Sequence, residues 1–353
     1  MQLKQGNKYR RIKAFLKEHH YPDFRMKQIL NAIFQEEIEH FNDITVLPKA
    51  LREMLAVEFG ASILDIAPLM EQHSEQVTKV LFRISGNERI ETVNLKYKAG
   101  WESFCVSSQC GCHFGCTFCA TGDIGLKRNL TSDEITDQIL HFYLKGHSMD
   151  SISFMGMGEA LANVQVFDAL DVLTDPELFG LSPRRISIST IGIIPSIKKM
   201  TLQCPQVHLT FSLHSPFHEQ RSKLMPINDK YPLFDVMDAL DEHIRVTSRK
   251  VYIAYIMLPG VNDLMEHTKE LARLLKGRYR EGRLYHVNLI RYNPTVRSPL
   301  RFDESSEDRV VDFYKTLQSS GIHVTIRSQF GIDIDAACGQ LYGNYSADRY
   351  DRL

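Results

Sequence analysis

Cys112, Cys116 and Cys119 form a C-x3-C-x2-C run, Cys112-His113-Phe114-Gly115-Cys116-Thr117-Phe118-Cys119. Three thiolates this close can hold three irons of a cubane iron–sulfur cluster and leave the fourth iron without a protein ligand. An open iron is what a cluster needs if it is to bind and activate a small molecule. The competing chemistry is a zinc site, whose tetrahedron would be closed by a fourth ligand, Cys110 or Cys105. Those five thiols fall within residues 105–119, while Cys204 and Cys338 stand apart. The first six residues lack the basic-then-apolar pattern of a signal peptide. No apolar run approaches the roughly 18–20 residues that cross a bilayer. A cytoplasmic protein without membrane contact is expected, where clustered cysteines are metal ligands or redox catalysts more often than structural disulfides. The sequon Asn129-Leu130-Thr131 is then a chance match.

The elements that must position these residues follow from periodicity. Residues 1–75 read as a helical module, with apolar Ile12, Phe15 and Leu16 and then Met26, Ile29, Leu30 and Ile33 at helical spacing. Its first thirty residues carry eight basic side chains against Glu18 and Asp23, a local +6, whereas residues 31–80 hold nine acidic and three basic ones. Residues 76–100 read as a β extension, a strand pair over 77–84 and 89–97 turned at Ser85-Gly86-Asn87-Glu88. A strand over 104–108 then leads into the cysteines, and Thr131-Ser132-Asp133-Glu134 is a capping box for a helix running to Gly146.

Strand-like runs at 151–155, 185–190, 207–214, 250–258 and 284–291 alternate with helical patterns near 163–173, 195–201, 232–246, 262–276 and 305–319, and His323–Ser328 closes the series. Six βα units imply an α/β protein with a parallel sheet, an open or partial (β/α)6 barrel over 101–345, followed by a tail at 346–353. Chemistry in such folds gathers at the C-terminal strand ends, and there stand Gly158 and Glu159 of Gly156-Met157-Gly158-Glu159, Ser189, Ser212-Leu213-His214 and Asn293.

The chain has 42 basic and 43 acidic residues, so a strongly basic nucleic-acid binder is excluded as a whole-chain property; 43% hydrophobic residues exclude global disorder. Local basic patches remain available to an RNA: the opening module, Lys127-Arg128, Arg184-Arg185, Lys198-Lys199 and Arg245/Arg249/Lys250.

The cysteine loop after the first barrel strand, with Gly156–Glu159 after the second, resembles the radical S-adenosylmethionine (SAM) superfamily. Ser107-Ser108-Gln109-Cys110-Gly111-Cys112, Ala120-Thr121-Gly122 and Asp333-Ile334-Asp335-Ala336-Ala337-Cys338-Gly339-Gln340-Leu341 resemble the RlmN/Cfr family of rRNA adenine methyltransferases. Lys98-Ala99-Gly100-Trp101-Glu102-Ser103-Phe104-Cys105 and Gln109-Cys110-Gly111 are more similar to the Cfr branch. The resemblance spans about residues 75–345 and extends to the N-terminal module.

What the resemblance implies is specific. Cys112, Cys116 and Cys119 would bind a [4Fe-4S] cluster. Gly158, Glu159, Ser189, Ser212, Leu213, His214 and Asn293 would contact SAM, and two SAM molecules would serve each turnover. One would methylate Cys338; the other would yield a 5′-deoxyadenosyl radical that takes a hydrogen from that methyl group. The resulting methylene would attack the adenine ring, whose carbons 2 and 8 are poor nucleophiles for direct displacement. Cys105 would resolve the adduct through a transient disulfide with Cys338, and Glu91 would act as general base. The implied substrate is a flipped adenosine of 23S rRNA in the peptidyl-transferase region, methylated at carbon 8, with antibiotic resistance as the consequence. An electron donor such as flavodoxin and a monomeric state belong to the same picture. The competing readings are carbon 2 methylation of the RlmN type, extending to tRNA, and a zinc-stabilised RNA-binding protein without catalysis. Cys110 and Cys204 have no role assigned by the resemblance.

Overall fold

Val77–Arg83 (β2) and Arg89–Lys96 (β3), buried over most of their length, form an antiparallel pair in register from Val77↔Leu95 to Arg83↔Arg89. The computed structural model describes residues 6–278, 281–294 and 302–342. The expected tail at 346–353 lies outside them, as do Lys4 and the final residues of the expected barrel segment.

Three helices precede the sheet: Lys8–Glu18 (α1), Phe24–Phe34 (α2) and Lys49–Phe59 (α3). The Asn7 side chain caps α1 by accepting the Arg10 N–H at 3.0 Å. The helical reading of 1–75 fails at its end, because Ala67–His73 (β1) is a strand paired antiparallel to β2. Its residues are mostly exposed and it begins Ala67-Pro68 with a register shift between Pro68 and Met70. An edge strand of this kind need not alternate, and it tolerates a proline whose missing N–H would break a central ladder.

Strand Glu102–Cys105 (β4) joins the antiparallel β3 to a parallel series. Gln109–Cys110 (β5) and Arg128–Asn129 (β6) make a separate short pair flanking the cysteine loop, which contains the short helix Ala120–Asp123 (α4). The parallel series continues through Ser151–Phe154 (β7), Ile186–Thr190 (β8), His208–Ser212 (β9), Val251–Met257 (β10), Tyr285–Arg291 (β11) and His323–Ile326 (β12). The intervening helices are Ser132–Tyr143 (α5), Gln165–Thr174 (α6), Ile194–Gln203 (α7), Leu233–Thr247 (α10), Met265–Lys276 (α11) and Glu307–Ser319 (α12). The capping box of α5 is formed as expected, with Thr131 and Glu134 bonding each other's backbone N–H. The sheet runs β1-β2-β3-β4-β7-β8-β9-β10-β11-β12 without joining its two ends. Six βα units and a terminal strand therefore make a partial barrel.

Helices His218–Leu224 (α8) and Ile227–Lys230 (α9), after β9, were not anticipated: at seven and four residues they are too short to show a period. The main core is shared, running from Ile12, Phe15 and Leu51 of the N-terminal helices through Phe82 and Ile139 to Leu209 and Val287 of the barrel. A smaller cluster, including Phe118, Met225, Ile256 and Tyr292, packs beneath the cysteine loop. Two charges of the basic opening segment are spent on this docking, since Lys8 pairs with Asp137 and Arg11 with Asp133. No helix among the described residues is long and apolar enough to cross a membrane.

Candidate active site

The cysteine loop leaves β5 at a position only glycine can fill. Gly111 has φ +74°, and a Cβ there would stand 1.8 Å from the Gly125 carbonyl oxygen. Beyond it the loop is fixed by the Thr117 N–H to Leu224 O, the Cys119 N–H to Cys116 O and the Ala120 N–H to Gly339 O, at 3.0, 3.2 and 2.9 Å. Cys112, Cys116 and Cys119 line one cavity at the C-terminal ends of the strands, with about 1040 Å³ of open space. Among the described residues no three His, Cys, Asp or Glu side chains are placed to hold a single ion. The three thiols share the lining of this one cavity. Burial pushes all three up, Cys112 to about 12; Cys119 adds to the rise of Cys112 and Cys116, and Cys338 to that of Cys119. Metal binding would therefore displace protons. Cys110 faces elsewhere, its Sγ 3.4 Å from Arg89 O, and Cys105 faces a neighbouring cavity.

The same cavity is lined by most of the residues expected at SAM, with Glu159 next to Cys112. Gly158 has φ +93°, and an added Cβ would meet the Gln109 side chain at 2.4 Å. Gln109 in turn accepts the Glu159 N–H at 2.8 Å. The Glu159 carboxylate lines the cavity while accepting Ile191 N–H at 3.0 Å and Leu161 N–H at 3.2 Å. Burial pushes it up to about 7, and Thr190 and those two N–H groups pull it back. Ser189 on β8 and Ser212 on β9 join through their hydroxyls at 3.2 Å. His214 has φ +56° and its Nδ1 accepts the Ile256 N–H at 3.0 Å. Burial, with Arg221 adding to it, lowers His214 to about 3, so the ring is neutral and carries its proton on Nε2 as a donor. Leu213 does not line the cavity: its side chain is in the core, and its backbone bonds Ala254 O and Arg221 Nε.

Cys338 lines this cavity and also an adjoining one, where it is joined by Cys105, Asn293 and Arg327. The Cys338 segment is pinned along its length. Asn293 Nδ2 donates to Cys338 O at 3.1 Å, Thr121 Oγ1 to Leu341 O at 2.6 Å, and Lys79 Nζ to Asp335 O at 3.3 Å. Asn293 thus borders the cysteine pair's cavity and not the one lined by Ser189, Ser212 and His214. Burial, then the neighbouring Cys338, pushes the Cys105 thiol up to about 12, with Arg327 opposing. Glu91 lines neither cavity. One of its oxygens lies 3.3 Å from Lys79 Nζ and the other accepts the Tyr342 N–H at 2.8 Å, just beyond the Cys338 loop.

Two residues escaped sequence reading because their partners are remote in the chain. Arg221 on α8 is fully buried, bonding Ile191 O, Ser212 O and Leu213 O at 2.8, 3.1 and 3.1 Å and Asn228 Oδ1 at 2.7 Å. It ties the ends of β8 and β9 together. Arg327 follows β12 and lines the same cavity as Cys105 and Cys338; Cys338, and then Cys105, raise its pKa. Of the expected basic patches, Arg128 is held by Glu134 and Lys198 faces Glu242. Arg184 and Arg185 face an open groove.

A partial barrel with three cysteines on its first loop and a glycine-rich strand end lining the same cavity defines a radical SAM protein. The sequence profile of the Radical SAM superfamily matches residues 106–275. A radical SAM methyltransferase from Sphaerobacter thermophilus superposes with a TM-score of 0.89 at 35% identity, covering 96% of this chain and all of that one. The Ribosomal RNA large subunit methyltransferase Cfr of Bacillus velezensis is 76% identical over 347 residues, 98% of this chain and 99% of the relative. The protein of the same name from Staphylococcus aureus is 70% identical over 345 residues, 98% of this chain and 99% of the relative. The chain belongs to this Cfr family of radical SAM ribosomal RNA methyltransferases. Membership implies a [4Fe-4S] cluster and SAM, and the three thiols and the polar strand ends lining their cavity fit both.

Proposed function

We propose that this enzyme methylates carbon 8 of an adenosine in the peptidyl-transferase region of 23S rRNA, by way of a methyl group carried on Cys338. The observation that supports this most is the pair of cysteines 233 positions apart in sequence, Cys105 and Cys338, lining one cavity beside that of the three cysteines. A structural thiol needs no second thiol, whereas a carrier that must release its cargo does.

Cys112, Cys116 and Cys119 hold the [4Fe-4S] cluster, with Gly158, Glu159, Ser189, Ser212 and His214 lining the SAM environment, Leu213 behind them and Asn293 at the adjoining cavity, bonded to Cys338 O. Leu213 serves this by fixing the strand end through its backbone. Cluster and SAM supply methyl groups and a radical able to take hydrogen from a methyl group, with two SAM molecules used per turnover. Cys338 presents its sulfur at the junction of the two cavities. Glu91 takes the proton from the substituted ring carbon, and its position between Lys79 and the Tyr342 N–H couples it to the Cys338 loop. Cys105 then attacks the Cys338 sulfur. As the S–S bond forms, the S–CH2 bond breaks with its electron pair left on the methylene carbon, which takes up the proton given up by the Cys105 thiol, and the product leaves with its new methyl group.

The exposed Arg10, Lys13, Lys17 and Lys27 of the N-terminal segment are assigned to phosphate contacts. The enzyme acts as a monomer in the cytoplasm and draws electrons from a donor such as flavodoxin. A methyl group at the peptidyl-transferase site would narrow a drug-binding surface and confer resistance. Digestion of 23S rRNA modified by the holoenzyme, with separation of 8-methyl- from 2-methyladenosine by mass spectrometry, tests the proposal. It expects 8-methyladenosine; 2-methyladenosine as the only product would overturn it.

A further inference from the structure

The barrel has a second mouth, at the N-terminal ends of its strands. Tyr97, Trp101, Arg184, Arg185, His208 and Tyr252 line it. Met155, Thr210, Asn288 and Arg327 line both this groove and the cavity of the three cysteines, so the two share walls inside the barrel.

The turn between β3 and β4 builds an aromatic platform at this mouth. Tyr97 N–H donates to Trp101 O at 2.9 Å and Gly100 N–H to Tyr97 O at 2.8 Å, closing the turn. The Tyr97 and Trp101 rings stack at 3.7 Å with 9° between their planes, and Phe330 braces Tyr97 edge-on. Trp101 is nevertheless 41% exposed. An indole ordered on one face and open to solvent on the other is prepared to receive a second flat ring, because its own ordering cost is already met.

The charges of the groove select the ring's chemistry. Three guanidinium groups, Arg184, Arg185 and Arg327, line it, and Arg184 is anchored through Nε to Gln206 at 3.0 Å. The groove's carboxylate, Asp150, is occupied by the Glu102 N–H at 2.9 Å and by Arg185 at 3.2 Å. Guanidinium groups therefore outnumber carboxylates beside π faces, the combination that holds single-stranded nucleic acid.

We propose that single-stranded RNA flanking the target adenosine lies in this mouth, with one of its bases stacked on Trp101. This rests on the RNA methyltransferase reading above and adds the direction of approach, from the strand ends opposite the cysteine loop. The chain's single tryptophan is Trp101, so its fluorescence reports on this platform alone.

The test titrates anaerobic holoenzyme with a fluorescein-labelled 23S rRNA fragment carrying the target adenosine, following tryptophan quenching, RNA anisotropy and methylation. Saturable quenching is expected. Trp101→Ala should weaken RNA binding about tenfold and raise KM for RNA with little change in kcat, the scale of losing one base–aromatic stack. Trp101→Phe, which keeps a flat ring and guards against a folding defect, should bind within about threefold of the parent. Unquenched tryptophan together with parental affinity in Trp101→Ala overturns the platform while leaving the methyltransferase reading intact. Parental RNA affinity combined with slower reduction by an acidic electron donor would assign the surface to a protein partner and likewise overturn it. A parent enzyme that neither binds nor methylates the fragment overturns both readings.

Discussion

Replacing Lys8 by methionine deletes one charge from the contact that seats the N-terminal helices on the barrel. Lys8 Nζ donates to both Asp137 oxygens at 2.7 and 2.6 Å and to Ile63 O at 2.7 Å. The two side chains are 4% and 0% exposed. Burial works against the Lys8 ammonium, but Asp137, Asp65 and Asp133 outweigh it and raise its pKa. Burial likewise pushes Asp137 up, and Lys8 pulls it back. Methionine keeps the apolar stem and leaves a buried carboxylate without its cation. Removing one member of such a pair costs about 3–5 kcal/mol. At about 2.1 cal/mol/K of unfolding entropy per residue, a chain of 353 residues should melt about 4–7 °C lower. Thermal unfolding of the holoenzyme by circular dichroism reads the shift. Lys8→Met combined with Asp137→Leu should recover most of it, since removing both charges also removes the desolvation cost.

The pH dependence has a definite sign. An unpaired, buried Asp137 has a folded pKa above its unfolded one, so its stabilising contribution is complete below the unfolded value and is lost as pH rises through the folded one. The variant's deficit against the parent should therefore be larger at about pH 8 than at about pH 5. A single variant within about 1 kcal/mol of the parent, or a double variant no better than the single, would refute the reasoning.

Three further outcomes follow from the site. Gly158→Ala, with φ +93° and a Cβ 2.4 Å from Gln109, should weaken SAM binding in equilibrium dialysis about tenfold or more, given ~1–3 kcal/mol of strain; unchanged affinity would contradict the close packing. Cys105→Ala should accumulate a covalent RNA–protein band on denaturing gels, while Cys338→Ala gives neither band nor methylation; equal behaviour of the two variants would sink the division of labour. Because His214 is held near 3 by burial, its ring stays neutral until strongly acidic pH, and SAM affinity should show no step from it near its ordinary pKa of about 6.5. An inflection there in the parent that disappears in His214→Gln would show that the ring titrates.

The βα alternation was legible because the parallel strands are short segments of apolar or alternating residues, such as Ser151–Phe154, and each long helix shows its amphipathic period. β1 was not, since an exposed edge strand buries too little to impose alternation. The cysteine loop and the Gly156–Glu159 strand end could be read directly, as their chemistry lies in local spacing. Arg221 and Arg327 could not, because what defines them is contact with Ile191, Ser212 and Leu213 in one case and Cys105 and Cys338 in the other. The basic opening segment misled in part: charge counting offers Lys8 and Arg11 to an RNA, whereas Asp133 and Asp137, more than a hundred residues away, turn them inward. Glu91 was singled out by the family resemblance alone, and its placement between Lys79 and Tyr342 depends on strand register.

The claim that Cys338 carries the methyl group is tested most directly by following the group itself. Holoenzyme is charged with SAM bearing an isotopically labelled methyl group, freed of excess cofactor, and chased with unlabelled SAM and 23S rRNA. Peptide and nucleoside mass spectrometry then locate the label. The account predicts labelled methyl on the Cys338 peptide before the chase, and on adenine carbon 8 after it. Labelled RNA formed without prior labelling of Cys338, or methylation persisting in Cys338→Ala, would contradict it.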